Sequence, residues 1–476
     1  MAWRRARRLA GAAVLGALRS AARAAPGPAP VPAPAQASAA SSASSASAAP
    51  TAPCPAGLPV GTRCLSGRDE LGAGYWMAVP EPWNGTLVLH AHGGPELGPP
   101  RLERSAQDLL RWAVFVRSGA AWAGSTYRQG GVAVRAAAED TERLRQRFIN
   151  EIGMPRFTLL HGQSWGASVA ARAAEIFTAA PGAKPPFDAV LLTSGVLAGG
   201  TLTYDFRLDL RVVYQAVCAN HPAPGEASYP LWQGLPAGAT LTHQQLARRV
   251  DACTGIRRAS AERTPAQQRH LKTLLAVLRI PERSLIGHLS WATWHFQDIA
   301  LNRTGGRNVF GNIGVRYVGS DDDDALNAAV ARYAVDPAAV SAFGADADPQ
   351  GRIPVPVLTL HGVDDPVAFV ELESAFRSTM ERAGTANHLV QVFTADTEHS
   401  YFSDVQYLAA ADALRAWAQG GERPTGESVA RRCAALEAGR PATNSAPVGE
   451  PAVPHQGCRI LPDYRSAPLA SRVPAR

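Results

Sequence analysis

A serine hydroxyl is a weak nucleophile. It needs a base to take its proton and an acid to set the base's tautomer and stabilise its charge. The chain offers each of these at the end of an expected strand. Ser164 stands in Gly162-Gln163-Ser164-Trp165-Gly166, a G-x-S-x-G pattern. Residues 157–160 before it are apolar or β-branched, and the Ala-rich run 169–177 after it has helical character. A turn this sharp leaves room only for glycine on either side of the serine. It presents Oγ at the strand's end and aims the next helix's N-terminus at the site. The pattern alone is common by chance; strand before and helix after give it meaning. Candidate acids Asp364 and Asp365 follow the expected strand 355–360, within His361-Gly362-Val363-Asp364-Asp365-Pro366-Val367. Candidate bases are His399, in the turn Thr397-Glu398-His399-Ser400, and His90, His92 and His388. His388 precedes its strand, on the wrong side of a sheet.

Strands expected at 75–79, 87–89, 120–126, 157–160, 189–193, 355–360 and 389–393 alternate with helices expected at 102–116, 134–152, 367–383 and 404–417. That rhythm predicts an α/β fold, a parallel sheet with helices on both faces. Trp83-Asn84-Gly85-Thr86 supplies a tight turn before 87–89. From 199 to 352 the rhythm stops. This segment is punctuated by Pro and Gly and is helical where periodic (244–250, 266–278, 326–333), so it reads as an inserted cap over the carboxyl edge of the sheet. Its aromatics Tyr229, Trp232, Trp291, Trp294 and Phe296 are expected to pack the cap more than to line a pocket. The acidic run Asp321, Asp322, Asp323 and Asp324 reads as a solvated helix N-terminus, with calcium binding as the other reading.

The order Ser, Asp, His is that of the α/β-hydrolase superfamily, and differs from the chymotrypsin and subtilisin orders. The chain resembles that superfamily from about residue 54 to 420. The likeness rests on Gly162-Gln163-Ser164-Trp165-Gly166, His92-Gly93-Gly94, the stretch 358–367 and His399. The stretch 82–89 also resembles the entry strand of secreted bacterial serine esterases and lipases. The resemblance implies acyl transfer through a covalent intermediate, with Ser164, His399 and Asp365 as nucleophile, base and acid. It places the acid four residues after the His of the His-Gly pair, which selects Asp365 over Asp364. It gives the oxyanion to the backbone N–H groups of Trp165 and Gly94, and has His92 shape that loop. Neither metal nor cofactor is implied, and the substrate is a small-molecule or polymeric ester. A peptidase resembling prolyl-oligopeptidase-like or aminopeptidase members is the alternative, and a catalytically silent binding protein a further one. The Asp nucleophile of epoxide hydrolases and dehalogenases is disfavoured by Ser164.

The remaining features bound this reading. The chain has 476 residues, enough for one large core and an insertion. The net charge is +7, but six arginines lie in the first 24 residues with no acid, and without them the balance is +1. A near-neutral remainder gives no electrostatic reason to expect nucleic acid or an anionic membrane. Residues 1–24 read as an export signal: Arg4–Arg8 basic, 9–18 apolar but too short to span a bilayer, and Ala22-Arg23-Ala24 as the cleavage site. No integral membrane segment is expected in the mature chain. A Pro/Ala/Ser linker follows at 25–53, then the first part of the hydrolase core at 54–198, the cap at 199–352, the second part of the core at 353–420, and a tail at 421–476. Cys54, Cys64, Cys218, Cys253, Cys433 and Cys458 form three sequence-local pairs and read as a disulfide framework in an exported chain. They show no zinc-ligand spacing. Asn84 and Asn302 head N-x-T patterns, a weak glycosylation signal.

Overall fold

The computed structural model describes residues 50–179, 183–439 and 457–472. The expected signal peptide and nearly all of the expected linker lie outside the described residues, as does part of the tail. Nine strands form one sheet: β1 (Thr51–Ala52), β2 (Arg63–Arg68), β3 (Gly74–Val79), β4 (Thr86–Ala91), β5 (Ala121–Ser125), β6 (Phe157–Gln163), β7 (Ala189–Thr193), β8 (Val357–Gly362) and β9 (Leu389–Thr394). Their order is β1-β2-β3-β5-β4-β6-β7-β8-β9. β1 to β3 pair antiparallel, as do β3 and β5; every pair from β5 through β9 is parallel.

The parallel strands β4, β6, β7 and β8 are buried at every position, as strands covered on both faces must be. Successive side chains feed opposite layers: Leu87, Leu89 and Leu160 enter one core, Val88 and Leu159 the other. Helices α1 (Leu102–Arg111), α2 (Ala113–Arg117), α3 (Val134–Glu151) and α4 (Trp165–Ile176) connect strands through β7. Between β7 and β8 the chain forms α5 (Gly199–Thr203), α6 (Asp205–Cys218), α7 (His243–Thr254), α8 (Pro265–Leu278), α9 (Leu285–Asp298), α10 (Asp323–Ala329) and α11 (Pro337–Ala347). Then come α12 (Leu372–Arg382), α13 (Asp404–Ala418) and α14 (Gly426–Ala438). Among the described residues no helix is long and apolar enough to cross a membrane.

Several expectations need correction. The strand at 75–79 is not the first, because β2 precedes and pairs with it; the polar ends of Arg63–Arg68 hide the signal of an edge-side strand. The expected helix 102–116 is two helices divided at Trp112. The helix expected at 326–333 ends at Ala329, since the Asn312 amide holds the next residues extended through Tyr333 N–H (2.8 Å) and the Ala331 carbonyl (2.8 Å). The helix expected from 367 starts at Leu372, because Asp365 takes the N–H groups of Val367 and Ala368 into its own turn. The tail does more than lie on the surface. It contributes α14, whose Val429 and Cys433 are fully buried. Residues beyond it pair with the outer edge of β9, through Ala395 N–H to Arg459 O and Leu461 N–H to Phe393 O, each 2.8 Å. An otherwise open sheet edge is thereby covered.

Disulfides join Cys54 to Cys64, Cys218 to Cys253, and Cys433 to Cys458, with Cα–Cα separations of 5.3, 5.6 and 5.7 Å. The run Asp321 to Asp324 is shared out among ordinary partners. Asp322 caps α10, Asp323 accepts from Gly319, Ser320 N–H and Ser320 Oγ, and Asp321 and Asp324 pair with Lys272 and Arg316.

Candidate active site

Ser164 sits between β6 and α4 with φ 56° and ψ −122°. This is a strained backbone region for a residue with a Cβ. Two hydrogen bonds fix it: Ser164 N–H donates to Thr193 O (2.9 Å), and Val196 N–H to Ser164 O (3.0 Å). The flanking glycines are sterically required. A Cβ on Gly162 would stand 2.4 Å from Gly166 O, and one on Gly166 would stand 2.1 Å from Ala91 O. The first turn of α4 therefore leans directly on the end of β4.

His399 follows β9 and reaches both partners. Its Nε2 lies 2.8 Å from Ser164 Oγ, and its Nδ1 lies 2.8 Å from Asp365 Oδ2 and 3.0 Å from Oδ1. With the proton on Nδ1, the imidazole donates to the carboxylate and accepts from the hydroxyl. Asp365, after β8, is buried. Burial opposes its ionisation, but the His399 ring, His361 and the N–H of Val367 outweigh it and hold the carboxyl below the usual range. The His399 turn is anchored by Ser400, whose N–H donates to Ser194 Oγ (3.1 Å) and whose carbonyl accepts from Arg111 (2.8 Å). Gln163 donates to Ser400 Oγ at 2.5 Å, tying the turn to the serine's own strand.

The other candidates lie elsewhere. Asp364 is exposed. His388 binds Ile353 O (2.9 Å) at the opposite end of β9. His90 is buried against His161 (3.0 Å) below the sheet end. His92 stacks on Tyr127 with 4.2 Å between ring centres, and burial lowers its pKa to about 4. Trp165 is the first residue of α4, so its N–H belongs to the helix's unbonded first turn. Gly94 has φ 65° and open space beside its Cα. Its neighbour Gly93 has none, for a Cβ there would meet Gln163 Oε1 at 2.1 Å.

A largely parallel sheet clad in helices, a serine on a strained strand-to-helix turn after β6, and an Asp and a His after β8 and β9 form one known architecture. The fold is that of the α/β-hydrolases. The structure is similar to that of an esterase from Aspergillus oryzae, with TM-score 0.43 and 13% identity, covering 76% of this chain and 80% of that one. It is similar also to feruloyl esterase B from Aspergillus oryzae, with TM-score 0.38 and 12% identity over 76% and 80% of the two chains. Puromycin hydrolase gives TM-score 0.35 and 14% identity, and the match covers 76% of this chain but 40% of that one. No family model and no curated protein matches the sequence.

The site also has neighbours that the sequence did not single out. On α9, His288 Nε2–H donates to Pro366 O, beside the acid, and His295 Nε2–H donates to Pro95 O, beyond Gly94, each at 2.9 Å. Residues 288, 291 and 295 share one helical face, so α9 ties the acid loop to the glycine loop. The signal was present as a three- and four-residue spacing, in a segment not read as helical. Below Asp365, His361 bonds Glu373 (3.0 Å) and the Ala368 carbonyl (2.8 Å), and Thr359 and Gln391 donate to the same carboxylate. Glu373 stabilises the charged imidazole against the opposing burial, which raises the His361 pKa.

The α9 histidines make stability depend on pH. Burial lowers their pKa from 6.5 to about 3 for His288 and about 4 for His295. The unfolded chain takes up these protons first, so stability falls as pH drops below about 6.5. Each contributes a loss of about 3 kcal/mol by pH 4. Denaturant titrations across pH 4–7 should show this decline. His295→Gln, neutral throughout and still able to reach Pro95, should shallow the slope.

Proposed function

We propose that the chain is an exported serine hydrolase that cleaves carboxylic esters. The observation that carries the proposal is the unbroken hydrogen-bonded line from Ser164 Oγ through His399 to Asp365, 2.8 Å at each link. His399 takes the serine proton as Oγ attacks the carbonyl carbon, and Asp365 stabilises the imidazolium that results. The tetrahedral oxyanion is held by the N–H groups of Trp165 and Gly94, donors worth about 3–4 kcal/mol each in comparable sites. The proton then passes to the leaving alcohol, and water repeats the sequence on the acyl-serine. The segment between β7 and β8 acts as the cap, with α9 seated over both loops. Three disulfides suit an oxidising compartment, which supports export.

A fluorophosphonate probe tests the reading, since it reacts only with an activated serine. One equivalent should attach, on the peptide carrying Ser164, and p-nitrophenyl esters should turn over far faster than aminoacyl-anilides. Absence of labelling would leave a binding protein. Faster anilide cleavage would make the enzyme a peptidase.

A further inference from the structure

Arg207, near the start of α6, is 4% exposed, and its Nε and Nη1 are buried with no hydrogen-bond partner. Aromatic rings surround it instead. The guanidinium carbon lies 4.3 Å from the centre of the Trp291 ring, 4.8 Å from Phe206 and 5.3 Å from Tyr204. Burial lowers its pKa to about 10, which still leaves it cationic at neutral pH. A buried guanidinium with Nε and Nη1 unmet is strongly unfavourable, and among the described residues it makes no ion pair that its removal would break.

Its position is as telling as its lack of partners. Trp291 lies on the α9 face between His288 and His295, and stacks on His295 at 4.6 Å and 4°. Phe206 touches His288 (5.0 Å) and Phe369 of the acid loop (4.9 Å). The charge of Arg207 acts on both histidines, and His288 also feels Asp365 and His399. The cation thus stands on the side of the insertion that faces the candidate site, between the loops that carry the acid and Gly94.

We propose that Arg207 anchors a carboxylate of the substrate, so that the ester cleaved bears a negative charge away from the scissile bond. The inference rests on the hydrolase reading above and names its substrate class. Each unmet N–H offers a charge-assisted hydrogen bond to a carboxylate oxygen, and the flat aromatic walls hold the guanidinium plane in place. The same feature weighs against an aminopeptidase, which needs an anion for the free ammonium; the unmatched charge here is a cation.

Two probes of equal chain length separate the outcomes: p-nitrophenyl valerate, which is neutral, and p-nitrophenyl hydrogen glutarate, which ends in a carboxylate. The wild type should favour the glutarate ester by at least about tenfold in kcat/KM. Arg207→Met should abolish that preference, chiefly through KM, and Arg207→Lys should keep part of it. A wild type that shows no preference overturns the inference, whether or not either variant folds. So does a folded Arg207→Met that slows both esters by one factor, since Arg207 would then only pack the cap. Turnover of neither ester, together with no fluorophosphonate labelling, would overturn the hydrolase reading and the inference with it.

Discussion

Replacing Ser164 with Ala is expected to lower kcat on a p-nitrophenyl ester by about a millionfold, while the unfolding midpoint stays near that of the parent. The magnitude follows from what is removed. Without Oγ there is no acyl-enzyme, and His399 Nε2 loses the donor it faces at 2.8 Å. On the proposed mechanism, what remains is the pair of backbone N–H groups and the shaped site, which in comparable enzymes retain about a thousandfold over water. Stability should hold because the turn depends on Gly162, Gly166 and the Thr193 carbonyl, none of which contacts Oγ. Steady-state kinetics with burst titration of the parent provide the check.

Asp365→Asn is expected to cost about 10⁴-fold in kcat, and the hydrogen bonds say why. Oδ1 accepts the N–H groups of Val367 (2.8 Å) and Ala368 (2.9 Å), while Oδ2 faces His399 Nδ1. An asparagine must keep its oxygen toward the two N–H donors, which turns its NH₂ toward Nδ1. The imidazole proton then moves to Nε2, where it faces Ser164 and can no longer accept. Asp364→Asn, at an exposed position next door, should leave kcat close to that of the parent. Equal losses at 364 and 365 would mean that the loop's charge matters more than the Nδ1 contact.

The residues explain which parts of this arrangement were legible in advance. Strands β4, β6, β7 and β8 are continuous apolar runs because both of their faces are buried. Ser164, Asp365 and His399 could be singled out because each follows such a run and sits beside Gly, Pro or a polar turn. β2 was missed because Arg63 and Arg68 bracket it, and an edge-side strand carries a weak alternation. α6 and α9 were missed for another reason. Arg207, Arg211, His288 and His295 break the apolar stripe that would mark these two helices. The role of Glu373 was hidden likewise, since its bonds to His361 and Thr359 come from another element. Side chains that follow an apolar strand run were readable along the chain, whereas partners supplied by another element, such as Glu373 to His361, were not.

The central claim is that one hydroxyl, one imidazole and one carboxylate act as a single unit, and a double-mutant cycle tests it most directly. The measurement is kcat on one p-nitrophenyl ester for Ser164→Ala, His399→Ala and the pair combined. The account predicts that the double variant is no slower than either single one, because the first substitution already removes what the second would. Losses that multiply, with the double variant slower by the product of the two, would contradict it.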